Sequence, residues 1–167
     1  RDRKYEDILA FYYRDTALYT VGTYDTAPRI KAEGCTFQSC GISGIKPGTT
    51  TEKLLGKLQS DGALSIIDKK GAKKEGTLCT GDSVRNTYDN GLAIFDLPIV
   101  IYGDVDGSGK IDKDDIAALQ KHLIRSSILG GPYLIAADVN HDETVDIMDM
   151  IRLIQYVSDD AKITQED

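Results

Sequence analysis

The sequence predicts an α+β fold, with a small β-rich N-terminal part packed on an all-α C-terminal part built from two loop–helix repeats. Three observations carry this expectation. The run Asp104-Val105-Asp106-Gly107-Ser108-Gly109-Lys110-Ile111-Asp112-Lys113-Asp114-Asp115 has an echo 34 residues later in Asp138-Val139-Asn140-His141-Asp142-Glu143-Thr144-Val145-Asp146-Ile147-Met148-Asp149. Each copy is followed by apolar residues at helical spacing, Ile116, Leu119 and Leu123 in the first and Met150, Leu153 and Val157 in the second. Residues 41–102 instead carry short apolar runs punctuated by glycine turns, which is the patterning of strands.

A chain of 167 residues with 41% apolar composition suits one or two small folded domains. The net charge of −7 is uneven. Residues 1–102 hold 14 basic and 13 acidic residues, a net +1, whereas residues 103–167 hold 6 and 14, a net −8. No basic stripe supports nucleic-acid binding, no run is long enough to span a membrane, and no signal peptide is visible. The first residue is Arg1 rather than an initiator methionine, so an excised fragment is expected. Cys35, Cys40 and Cys79 match no zinc spacing. They admit a Cys35–Cys40 disulfide with Cys79 left over, or three buried or half-buried thiols; the second reading is preferred.

The residues from 1 to 40 are rich in Tyr5, Phe11, Tyr12, Tyr13, Tyr19 and Tyr24 and can form a separate segment. Strands are expected at Ala17–Thr23 and Pro28–Ala32. The tyrosines suit either sugar stacking or a sheet face packed on its neighbour, and without tryptophan the sheet face is favoured. Thr49 to Glu52 reads as a helix start, with Leu54, Leu55 and Leu58 as its apolar stripe. Strands follow at Ala63–Asp68, Ser83–Thr87 and Leu97–Tyr102, with strand and turn across Gly76–Asp82 and a turn at Asp89–Gly91. Lys69, Lys70, Lys73 and Lys74 read as a solvated hairpin tip. Ile99 to Tyr102 runs straight into Gly103 without a linker, so the two parts are expected to dock rigidly. Helices are expected at Asp114–Ser126, Pro132–Ala137 and Ile147–Val157, followed by a loose acidic tail over 159–167.

The duplicated run has the chemistry of a calcium loop. Oxygen-bearing side chains stand at positions 1, 3, 5, 9 and 12, and a carbonyl is available at position 7. The expected ligands are Asp104, Asp106, Ser108, the Lys110 carbonyl, Asp112 through a water, and Asp115. The second set is Asp138, Asn140, Asp142, the Thr144 carbonyl, Asp146 and Asp149. Four carboxylates in each set would repel one another without an ion. Ile111 and Val145 at position 8 are expected to pair the loops through a short β-bridge. Position 6 calls for glycine; Gly109 supplies it, while Glu143 must adopt a left-handed backbone at a cost of about 1 kcal/mol. A single acidic loop is more often a solvated turn, but two in-register copies with matched apolar positions argue against that.

An EF-hand would place a helix before each loop and usually end it in Glu. Here a β-type run precedes Asp104 and both loops end in Asp. The duplicated motif over residues 103–158 instead resembles a dockerin, with two F-hand-like calcium loop–helix repeats, and residues 41–102 resemble, more loosely, the X-type modules that precede some dockerins in anaerobic gut or rumen bacteria. The resemblance implies two Ca2+ ions and a cohesin partner on a scaffoldin. It implies attachment of a parent enzyme or scaffold subunit to an extracellular, cellulosome-like, polysaccharide-degrading complex on an anaerobic bacterium. By position it implies contacts to the cohesin from Lys113, Asp114, Ala117, Lys121 and Arg125 in the first copy. In the second copy they would come from Ile147, Met148, Ile151, Gln155 and Asp159. The second helix is apolar nearly all round, so it needs a second partner, either a cohesin or the preceding module.

Two other readings stand beside this one. A calcium sensor would need paired helices that open on ion binding, and these are missing. An EF-hand-like protein with a carbohydrate-binding N-terminal module stays open through the tyrosines. Catalysis would need a constellation that His122 and His141 do not suggest, so no enzyme is expected.

Overall fold

The computed structural model describes residues 18–20, 29–32, 34–38, 41–60, 62–87, 93–158 and 162–165. In chain order, β1 (Leu18–Thr20), β2 (Arg29–Ala32), β3 (Thr36–Gln38) and β4 (Gly41–Ser43) lead to a one-turn helix α1 (Thr51–Leu55). Next come β5 (Leu58–Ser60), β6 (Ala63–Ile67), β7 (Ser83–Thr87) and β8 (Ala93–Pro98). The C-terminal part holds α2 (Lys113–Leu123), α3 (Pro132–Ala137) and α4 (Ile147–Val157). Among the described residues the strands form three antiparallel sheets, ordered β1-β2-β5, β3-β4 and β6-β7-β8.

Alternation decides the register of the largest sheet. Val84 and Asn86 of β7 point inward while Ser83, Arg85 and Thr87 stay half-buried. Ile66 pairs with Val84, and Val84 with Leu97, so the buried side chains line up across three strands. Arg85 and Asp96 form a two-pronged ion pair on the outer face at 2.7 and 2.8 Å. The core beneath joins Ile30, Phe37, Ile42, Ile66, Val84 and Leu97 from all three sheets with Leu54 of α1.

The α1 N-cap is Thr50, whose hydroxyl accepts the Lys53 N–H at 3.4 Å. The helix stops after Leu55, and Leu58 belongs to β5 rather than to the helical stripe expected of it; Ala32 pairs with it across the sheet. The last strand lies earlier than the run Leu97–Tyr102 suggests. Its apolar residues continue inward beyond Pro98, buried on all sides and bonded singly: Val100 N–H to Ile42 O at 2.9 Å and Ile101 N–H to Thr80 Oγ1 at 3.1 Å.

Helix α2 ends three residues short of the expected Ser126. Arg125 takes φ +58 and Ile124 is 69% exposed, because the Ser126 and Ser127 N–H groups both turn back to Lys121 O. Helices α3 and α4 have the expected bounds. The second core is built from Val105, Leu119, Ala137 and Leu153, flanked by Ile111, Ile116, Val145, Met150 and Ile163. Ile111 and Val145 both pack against this core, but no β-bridge joins them among the described residues.

Two surface expectations also change. Lys74 leaves the hairpin tip and pairs with buried Asp82 at 2.6 Å. The tail is not wholly loose. Gln165 is buried, donates to Tyr102 O and accepts from Tyr102 N–H, both at 2.9 Å, while Ile163 joins the second core. Tyr5, Phe11, Tyr12, Tyr13 and Tyr24, the Asp89–Gly91 turn and Cys40 of the candidate disulfide lie outside the described residues.

Candidate functional site

The two acidic loops share most of their internal bonding. At position 12, Asp115 accepts the N–H groups of Val105 (2.7 Å), Asp106 (3.0 Å) and Asp112 (2.8 Å). Asp149 accepts those of Val139 (2.9 Å), Asn140 (3.3 Å) and Asp146 (2.8 Å). At position 1, Asp104 accepts from Gly109 and Asp138 from Glu143, both at 3.0 Å. At position 3, Asp106 accepts from Ser108 (2.8 Å) and Asn140 from Asp142 (2.9 Å). At position 5, Ser108 accepts from Lys110 (3.3 Å) and Asp142 from Thr144 (2.9 Å). Side-chain oxygens thus hold the turning backbone at positions 1, 3 and 5 of each loop.

Position 9 has a second use that spacing alone did not reveal. Asp112 and Asp146 are the N-caps of α2 and α4, each closing a capping box with Asp115 or Asp149. The same pair of aspartates therefore ends the loop and starts the helix, which fixes the helix direction relative to the loop centre.

In the first loop, carboxylate oxygens of Asp104, Asp106 and Asp115 all lie within 4.8 Å of one another. Burial raises the pKa of Asp104 above the usual carboxylate range, with Asp106 adding to it. Burial, and then the charges of Asp106 and Asp104, push Asp115 up to about 7. Burial and Asp138 raise Asp149. Three carboxylates this close repel one another by a few kcal/mol per pair even at an effective dielectric constant of about 20. The oxygen-only donor set suits a hard divalent cation. No comparable trio of acidic groups converges in the second loop among the described residues. There Asn140 Nδ2 donates to Asp142 at 2.7 Å, and Glu143 holds the φ of +67 that position 6 demands.

Helix α4 carries its apolar residues outward. Ile147 is 51% and Met148 54% exposed, and Ile151, Ile154 and Val157 are exposed beside them, with Gln155. The described residues of the β-rich part leave this face exposed. Of the first-copy candidates, Lys113, Asp114 and Lys121 on α2 and Arg125 beyond it are exposed and Ala117 is half-buried; Asp159 lies outside the described residues. Leu119 and Leu153 face each other's helix in the shared core.

Sequence reasoning missed the surroundings of Asp104. Its Oδ2 accepts the Thr80 N–H at 2.7 Å, a fully buried bond across 24 residues from the β-rich part. It also missed Tyr102, whose ring meets His141 edge-on at a 4.2 Å centroid distance, and Gln165 behind it. Such long-range partners leave no periodic signal.

Residues 102–163 match the model of the dockerin type I domain. Among solved structures, a chain matches from the complex of the third cohesin of ScaC with the ScaB dockerin of Acetivibrio cellulolyticus, mutated in the dockerin's N-terminal helix and displaying a type I interaction. It is 26% identical at a TM-score of 0.36, over 40% of this chain and 93% of that one. No curated protein matches the chain. Both acidic loops and their helices fall inside the matched segment, so the similarity to the dockerin type I domain covers the repeat and not the β-rich part.

Proposed function

We propose that the chain is a calcium-dependent adhesion module that binds a cohesin on a scaffoldin and so attaches its parent enzyme or scaffold subunit to an extracellular polysaccharide-degrading complex. The observation that carries this reading is the uncovered apolar face of α4, which starts at the last turn of an acidic loop within the dockerin segment. Ile147, Met148 and Ile151 form the centre of the contact and Gln155 its polar edge. Lys113, Asp114, Lys121 and Arg125 of the first copy supply a charged rim at most, because the two copies differ at these places. Interfaces of this kind take their energy from a few desolvated apolar anchors.

Two F-hand-like calcium sites support the face. Asp104, Asp106, Ser108, the Lys110 carbonyl, Asp112 and Asp115 would hold one ion. Asp138, Asn140, Asp142, the Thr144 carbonyl, Asp146 and Asp149 would hold the other. Calcium supplies the positive charge that lets these carboxylates stay ionised side by side. The chain's own residues do the rest: Asp112 and Asp146 aim the helices, and Leu119 with Leu153 sets their spacing. Residues 41–102 act as an X-type accessory module, and the chain as a whole adheres rather than catalyses.

A cohesin array probed with the whole chain, with and without chelator, tests the proposal. Binding to at least one cohesin in calcium and none in EDTA is expected. Binding that survives exhaustive chelation would overturn the calcium dependence, and no binding to any cohesin would overturn the partner.

A further inference from the structure

The two loops share a backbone but differ in side chain at positions 4 and 6. Gly107 and Gly109 have φ of +70 and +84. Their counterparts His141 and Glu143 adopt φ of +61 and +67. Positive φ alone therefore does not demand glycine in the first loop. The difference lies outside the loop. A Cβ on Gly107 would come within 2.7 Å of Thr80 O and within 2.7 Å of Tyr133 Cε1. A Cβ on Gly109 would meet Cys79 Sγ at 2.8 Å and Leu78 O at 2.9 Å. The turn over residues 78–82 of the β-rich part occupies the space that side chains fill in the second loop.

Through this close approach the Thr80 N–H reaches Asp104. Asp138, the matching aspartate, is only half-buried and among the described residues accepts solely from Asp142 and Glu143 of its own loop. The donor is held from behind. Thr80 Oγ1 accepts the Ile101 N–H at 3.1 Å and lies 3.3 Å from Ile101 O. Gly81 N–H bonds Ile99 O at 3.0 Å, and Ile99 N–H bonds Asp82 O at 2.7 Å. The Asp82 carboxylate in turn accepts Cys79 N–H at 2.8 Å and pairs with Lys74 at 2.6 Å. A donor so fixed orients the aspartate without giving way.

We propose that the turn 78–82 is the outer shell of the first ion site, with Thr80 as its positioning residue. Ion binding at the first loop and seating of the β-rich part are then one coupled equilibrium, while the second site is self-contained. This rests on the calcium reading above. Outer-shell partners of metal ligands typically govern about 10–100-fold in affinity.

Gly107→His with Gly109→Glu places the second loop's own residues in the first, at φ values those residues already adopt, so the loop can form while the turn is pushed away. Calcium titration of the whole chain by calorimetry should show about 10–100-fold weaker binding at one site and an unchanged second site, and Thr80 should lose its amide-exchange protection. Thr80→Val, which removes the hydroxyl anchoring the turn to Ile101, should weaken the same site, and Thr80→Ser should restore it. Unchanged affinity in the double variant, or equal affinities for the Val and Ser variants, would overturn the proposal. Absence of any calcium binding to the native chain would instead overturn the ion reading itself, and this proposal with it.

Discussion

Leu119 and Leu153 stand 34 residues apart, occupy the same place in the two copies, and are both fully buried in one cluster between α2 and α4. Each copy thus supplies half of the core that the other needs. Truncation at either place leaves a cavity that the helices cannot fill by moving, since each is pinned at its start by an aspartate cap. Leu119→Ala and Leu153→Ala should each cost about 2–5 kcal/mol, read from urea unfolding in saturating calcium. A loss well under 1 kcal/mol at either residue would show that the two halves are not interdependent.

Glu143 sits in a left-handed conformation that glycine adopts freely. Relief of about 1–2 kcal/mol of strain by Glu143→Gly should outweigh the roughly 0.5–1 kcal/mol that a more flexible unfolded chain takes back. The expected net gain is below about 1.5 kcal/mol, visible as a small rise in the urea midpoint at constant slope.

The proposed contact face can be weighed copy against copy. Ile147→Asp with Met148→Asp removes two exposed apolar groups from the first turn of α4, where acidic residues favour a helix, so folding is spared. Cohesin affinity should fall more than tenfold by calorimetry, whereas Lys113→Ala with Lys121→Ala should change it less than threefold. Equal losses would refute a single binding orientation.

Chelation should expose the repulsion among Asp104, Asp106 and Asp115. A ligand present at a hundred times its Kd stabilises the folded form by about 2.7 kcal/mol per site. The melting temperature of the chain should therefore drop by several degrees in EDTA, with partial loss of far-ultraviolet helicity. An unshifted melt would show that the loops are stable solvated turns.

Gln165 satisfies both backbone groups of Tyr102. Gln165→Ala leaves a buried N–H and a buried C=O without that partner and should cost about 1–3 kcal/mol. Faster exchange of the Tyr102 amide checks the cause.

The repeated loop backbone and the last two helices were legible because the same residue types recur at the same spacings. Pro132 marked a first turn, and Asp138 to Asp149 copied a motif already read at Asp104. Leu58 was not legible: an apolar residue four after Leu54 suits a helix, but pairing with Ala32 decided its state. The expected β-bridge between Ile111 and Val145 is absent among the described residues, and both side chains pack on the shared core instead. Lys74, Thr80 and Gln165 act through partners 8, 24 and 63 residues away, beyond the reach of any local pattern. The one trace they left was a pair of glycines in the first loop where the second has His141 and Glu143.

Ile99 to Tyr102 is buried along its whole length, and the first acidic loop begins two residues later. No slack chain separates the sheets from the helices, so both should tumble with a single rotational correlation time. Whatever orientation the sheets hold in a larger assembly is handed on to the face of α4 without averaging.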